Sequence, residues 1–135
     1  MIDIDAILGR LSDQRPIFHS EADFQFAFAW QLQEEAATAQ VRLEFKPFAA
    51  ERVYLDIWLA GFELAIELKY RTRSLSIEWN EESYHLRDQA AQDVSRYDFF
   101  RDVQRLEDVC ARGRAASGLA ILLTNDPTYW RQSPH

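Results

Sequence analysis

Alternation with period two dominates the middle of the chain. Arg52-Val53-Tyr54-Leu55-Asp56-Ile57-Trp58-Leu59 and Phe62-Glu63-Leu64-Ala65-Ile66-Glu67-Leu68-Lys69-Tyr70 each carry apolar side chains at every second position, the mark of half-buried strands. Ala60-Gly61 between them reads as a two-residue hairpin turn, which pairs Leu59 with Phe62 and sets Asp56 opposite Ala65. Opposed residues share a face. One face is then wholly apolar: Val53, Leu55, Ile57 and Leu59 against Phe62, Leu64, Ile66 and Leu68. The other gathers Tyr54, Asp56 and Trp58 against Glu63, Ala65, Glu67 and Lys69. An odd-numbered turn would put Asp56 in the apolar core instead.

Around this hairpin the pattern predicts further elements. Ile4, Ile7, Leu8 and Leu11 recur at helical spacing, and the break follows at Ser12 to Pro16. Ser20, with Asp23 three residues on, caps a helix that runs through Phe24, Ala27, Phe28 and Leu32 to about Ala39. Val41 to Pro47 alternates as a strand, and Ser74 to Trp79 reads as an extra strand or a flap. A long helix is expected from about Tyr84 to Arg112, with Phe99, Val103, Leu106 and Cys110 as its apolar stripe and Gly113 as its stop. Gly118 to Thr124 is a continuous apolar run, suited to a strand buried on both faces. The order helix, strand, strand, strand, helix, strand predicts one α/β domain over residues 1–135, with a mixed central sheet flanked by helices.

Charge narrows the function. The net charge of -7 argues against nucleic-acid binding driven by overall charge, though not against a local basic rim. No run is long and apolar enough to span a membrane, so a cytoplasmic, non-membrane protein is expected. Cys110 reads as a small core residue, and His19, His85 and His135 show no metal-ligand spacing.

The chemistry sits in the charged residues of the hairpin. Asp56, Glu67 and Lys69 on one face of adjacent strands suit a divalent metal held beside a phosphate. The carboxylates supply hard oxygen ligands for Mg²⁺ or Mn²⁺, and the ammonium orients an attacking water or offsets charge at phosphorus. The plain alternative is a cross-strand ion pair. Glu44-Phe45-Lys46 repeats the Glu-x-Lys triplet, but Pro47 ends that strand and no Asp precedes it on a paired strand. Glu21, at the start of the capped helix, either joins the site or only complements the helix dipole. Arg71, Arg73 and Arg96 are candidates for phosphate contacts, and Gln92 is placed to look toward the sheet. Tyr54 and Trp58 either stack on a base or fill space under a helix.

Asp56 on the second strand, Glu67-x-Lys69 on the third and Glu21 on the preceding helix resemble the PD-(D/E)XK nuclease superfamily, over roughly Ser20 to Thr124. The stretch from Ala91 to Glu107 resembles a small uncharacterised bacterial branch. Leu55 stands before Asp56 where the motif has Pro. The resemblance implies a restriction-endonuclease-like αβββαβ core and hydrolysis of a nucleic acid, DNA first. It also implies catalytic roles for Asp56, Glu67, Lys69 and Glu21, with the Leu68 carbonyl as a further metal ligand and Glu21 acting through water. A homodimer or a protein partner fits the small size, and a catalytically silent nuclease-fold binding module is the competing function.

Overall fold

The apolar runs close into elements whose ends are set by specific caps and turns. The computed structural model describes residues 2–89 and 92–129. Helix α1 (Ile4–Gln14) starts at Asp3, whose side chain accepts the Ala6 N–H. Helix α2 (Glu21–Glu35) starts at Ser20, whose Oγ accepts the Asp23 N–H at 3.1 Å. Strands β1 (Gln40–Phe45), β2 (Leu55–Ala60) and β3 (Leu64–Arg71) form an antiparallel meander. A second hairpin, β4 (Leu75–Trp79) and β5 (Glu82–Leu86), forms its own two-stranded sheet. Helix α3 (Gln92–Ala111) then crosses over to β6 (Ser117–Thr124), parallel to β3. The main sheet has the order β1-β2-β3-β6 and is mixed.

One face of this sheet is covered by α1 and α2. Ile57, Ile66, Leu68 and Tyr70 pack there against Ile7, Leu11, Phe24, Phe28 and Leu32. The other face lies under α3, where Leu55, Trp58 and Ala65 meet Leu106 and Val109. Gly118 lets α3 approach closely, because a Cβ there would meet the Leu106 Cβ at 3.0 Å. Gly113, in the left-handed region (φ 77°), ends α3 with the Arg114 N–H on the Val109 carbonyl at 3.1 Å, as its sequence position predicts.

Several expectations change in detail. The central hairpin is closed by the pair Leu59–Leu64, with Ala60, Gly61, Phe62 and Glu63 between them. Gly61 and Glu63 take left-handed backbone there. The loop is two residues longer than the sequence suggests but still even-numbered, so β3 keeps its faces while the register slides by two. Phe62 moves from the apolar face into the loop. Glu44 is left-handed (φ 49°), which interrupts the β1–β2 ladder between Leu43–Ile57 and Phe45–Leu55. Phe45 is thereby turned to the α3 side, stacked on Trp58 at 5.2 Å. Leu55 follows it, so Leu55 and Ile57 lie on opposite faces and β2 turns over at Asp56. Tyr54 precedes the strand and is exposed, while Trp58 fills space under α3.

The expected helical start at Tyr84 is a strand. Tyr84 and Leu86 are buried with His85 exposed between them, a period of two. Asn80 and Glu81, both left-handed, form the turn from Trp79 to Glu82. This hairpin docks beside the start of α2, where the Tyr84 ring stacks on His19 at 4.1 Å. The last strand is an edge strand and is half-buried rather than enclosed.

The α2 face carries the larger core. Phe28→Ala should cost about 3–5 kcal/mol, the usual loss for a large-to-small change at a fully buried aromatic. A clear fall in the urea midpoint at unchanged m-value is the expected reading.

Candidate functional site

The α3-side face of β3 presents Glu67, Lys69 and Arg71 at successive alternate positions, and α3 runs down this face with its start near the end of β3. The pairing is in step. Arg71 Nη2 lies 3.8 Å from Asp98 Oδ2, and Lys69 Nζ lies 3.1 Å from Asp102 Oδ2. Arg105 Nη1 donates to Glu67 Oε1 at 3.1 Å and lies 3.5 Å from Asp102 Oδ1. Two strand residues advance about as far as one helical turn, so each charge on β3 meets one on α3.

Asp56 enters from the strand alongside. Where β2 turns over, its side chain falls against the backbone of β3, and Oδ2 accepts the Leu68 N–H at 2.7 Å. The main chain of Asp56 is held as well, since Gln25 on α2 donates to its carbonyl at 2.8 Å and to Glu44 Oε1 at 3.1 Å. Glu44 is thus engaged by α2. The Asp56 carboxylate lies against that of Glu67, which is only 3% exposed. Burial, with the hydrogen bond and charge of Asp56, pushes the Glu67 carboxyl up to about 8, and Arg105 offsets part of this. Glu21 completes the cluster from the first turn of α2. It accepts from Arg71 Nη1 at 3.4 Å and feels Lys69, Asp56 and Asp102, and burial raises its pKa above the usual range.

The structure therefore brings Glu21, Asp56, Glu67, Lys69 and Arg71 into one cluster. It does not bring Arg73 and Arg96 there. Arg73 pairs with Asp126 at 3.3 Å, and Arg96 is exposed with its guanidinium over the Tyr129 ring. Gln92 opens α3, but its side chain lies outside the described residues. Asp98, Asp102 and Arg105 are the members that sequence reasoning missed. The expected stripe of α3 followed Phe99, Val103, Leu106 and Cys110, but the buried face runs through Ser95, Asp102, Leu106 and Val109. The available signal was the i,i+3 pair Asp102–Arg105 beside Leu106, facing a strand rich in charge.

Asp102 is 4% exposed, and its Oδ2 has no well-directed hydrogen bond although Lys69 Nζ is close. In all, the carboxylates of Glu21, Asp56, Glu67, Asp98 and Asp102 face the cations Lys69, Arg71 and Arg105. Negative charge is in excess, and at Glu67 it adds to the burial that raises the pKa. Among the described residues, no group of three or more His, Cys, Asp or Glu is gathered as a ready-made metal cluster. Asp56 and Glu67 still fit a hard divalent cation, because Mg²⁺ is commonly held by one or two carboxylates and several waters. Comparisons with family models, curated proteins and solved structures give no significant match. No helix among the described residues is long and apolar enough to cross a membrane.

Raised pKa values for a buried acid make the folded state the better proton binder between about 4.5 and about 8. Stability then falls as pH rises through that window. In metal-free buffer, Glu67→Gln, which mimics the protonated acid, should exceed the wild type in stability at pH 9, with the gap closing toward pH 5. Urea denaturation at the two pH values measures this, and a gap independent of pH would contradict it.

Proposed function

We propose that the protein is a small divalent-metal-dependent nuclease of the PD-(D/E)XK type, acting on the phosphodiester bonds of a nucleic acid, DNA first. The order α2-β1-β2-β3-α3-β6, with the β4–β5 hairpin inserted before α3, supports this reading, with Asp56 on β2, Glu67 and Lys69 on β3 and Glu21 on α2. The observation that carries it is the pair of carboxylates Asp56 and Glu67, pressed together with Lys69 two residues along the same strand.

Asp56 and Glu67 would hold the cation. The Leu68 N–H faces Asp56, and in a strand the carbonyl of the same residue points to the same side, so it would be a third donor. A Mg²⁺ or Mn²⁺ ion there supplies charge neutralisation at the phosphate and a bound water of lowered pKa. Lys69 orients the attacking water or offsets the charge that develops on the phosphoryl oxygens. Glu21 takes part through water from the start of α2, with Arg71 fixing its carboxylate. Holding both carboxylates on neighbouring strands of one sheet keeps their spacing rigid.

A second reading has a specific observation behind it. Lys69 and Glu67 are already engaged by Asp102 and Arg105, as in a closed structural network. A catalytically silent binding module acting through a protein or nucleic-acid partner is the function that such a network serves.

Titration with Mn²⁺ separates the two. The wild type should bind at millimolar concentration or below, and Asp56→Ala should abolish the binding. Lys69→Gln, which keeps a hydrogen-bond donor toward Asp102, should bind Mn²⁺ yet cleave DNA at least about 100-fold more slowly. Absent Mn²⁺ binding, or undiminished cleavage by the Lys69 variant, would refute the nuclease.

A further inference from the structure

Glu67, Arg105, Asp102 and Lys69 form an unbroken line of alternating charge, with successive contacts of 3.1, 3.5 and 3.1 Å. Its two ends are the residues assigned above to metal ligation and to the phosphate. Its two middle members both come from α3 and have no part in that chemistry. A single atom, Arg105 Nη1, faces both Glu67 Oε1 and Asp102 Oδ1.

We propose that Asp102 and Arg105 are positioning residues that form a counter-ion relay, in which Arg105 moves from Glu67 to Asp102 when Glu67 ligates a divalent cation, and Lys69 is thereby released from Asp102. The inference rests on the metal-site reading given above.

Three features of the cluster carry it. A divalent cation on Glu67 Oε1 would lie against the Arg105 guanidinium that donates to the same oxygen, and the repulsion between the two cations favours displacement of the guanidinium. Arg105 is the member free to move, because its side chain is 35% exposed whereas those of Glu67 and Asp102 are 3% and 6% exposed. Its destination is prepared, since Asp102 is its neighbour at i,i+3 on the same helix and Oδ2 of Asp102 is a buried acceptor without a directed hydrogen bond. Once Asp102 takes the Arg105 guanidinium, its hold on Lys69 weakens. The ammonium then turns toward the site only when the cation is in place. A static structural network would keep Arg105 on Glu67 in both states.

Free Mn²⁺, counted by electron paramagnetic resonance during titration of the full chain, tests the relay. Arg105→Gln should tighten binding about tenfold, since the competing guanidinium is gone. Asp102→Asn should weaken it by a similar factor, because Arg105 loses its alternative partner. In the double variant the Asp102 effect should vanish, as it acts through Arg105. Arg105→Lys, which keeps the charge without the fork, should fall between wild type and Arg105→Gln and serves if the Gln variant does not fold. Unchanged or weaker binding in the Arg105 variants, or additive effects in the double variant, overturns the relay while leaving the metal site standing. Binding by Arg105→Gln but not by the wild type overturns the relay and the native metal site together, because Arg105 then blocks the site instead of moving off it. Binding by neither overturns both.

Discussion

Burying the Glu67 carboxyl beside Asp56 is the constraint on which the α3 side of the molecule depends. A carboxylate taken out of water without a partner costs several kcal/mol, more than most single contacts return. The fold meets that cost with Arg105 on one side and a raised proton affinity on the other. Arg105 in turn needs α3 to lie along β3 in one register, and the same register delivers Asp102 to Lys69 and Asp98 to Arg71. Below the charges, Leu106 and Val109 seal the helix onto Trp58 and Ala65. The apolar half of this interface gives the stability, and the charged half fixes the register. A helix slipped by one residue would leave several buried charges unpaired.

Asp56 owes its place to a departure from regular strand geometry. In an ideal strand its side chain would stand perpendicular to the sheet. Left-handed Glu44 breaks the ladder opposite Asp56, the neighbouring side chains Leu55 and Ile57 go to opposite faces, and the carboxylate falls into the gap between strands. There it takes the Leu68 N–H, a β3 donor that lies beyond the last β2–β3 pair, Ile57–Ile66. Gln25 ties the same residue and Glu44 to α2. Glu44, which by its own triplet resembles a site residue, thus supports the site by bending the strand beside it.

Much of this was legible in the sequence. Period-two alternation located β2 and β3, Ser20 and Asp23 located the start of α2, and Gly113 located the end of α3. An even-numbered turn was enough to put Glu67 and Lys69 on the face away from the larger core, and a four-residue loop satisfies it as well as a two-residue turn. Asp102 and Arg105 were not legible, because helix faces are assigned from apolar residues and the buried face of α3 is polar at Ser95 and Asp102. The β4–β5 hairpin was hidden for a related reason. Its turn uses Asn80 and Glu81 in left-handed backbone without a glycine, so no local signal separated Tyr84 and Leu86 from the helix that follows.

The distribution of cations bears on how a protein of net charge -7 could act on a polyanion. Of the arginines near the site, Arg71 is spent on Glu21 and Asp98, Arg105 on Glu67 and Asp102, and Arg73 on Asp126. Positive charge is therefore used to hold carboxylates in place. On the proposed reading, attraction for phosphate arises at the excess of carboxylates once a divalent cation has joined them, not from a basic surface. Affinity for nucleic acid should then follow divalent cation concentration more steeply than it follows monovalent salt, the reverse of the behaviour of a protein that binds through many lysine and arginine contacts.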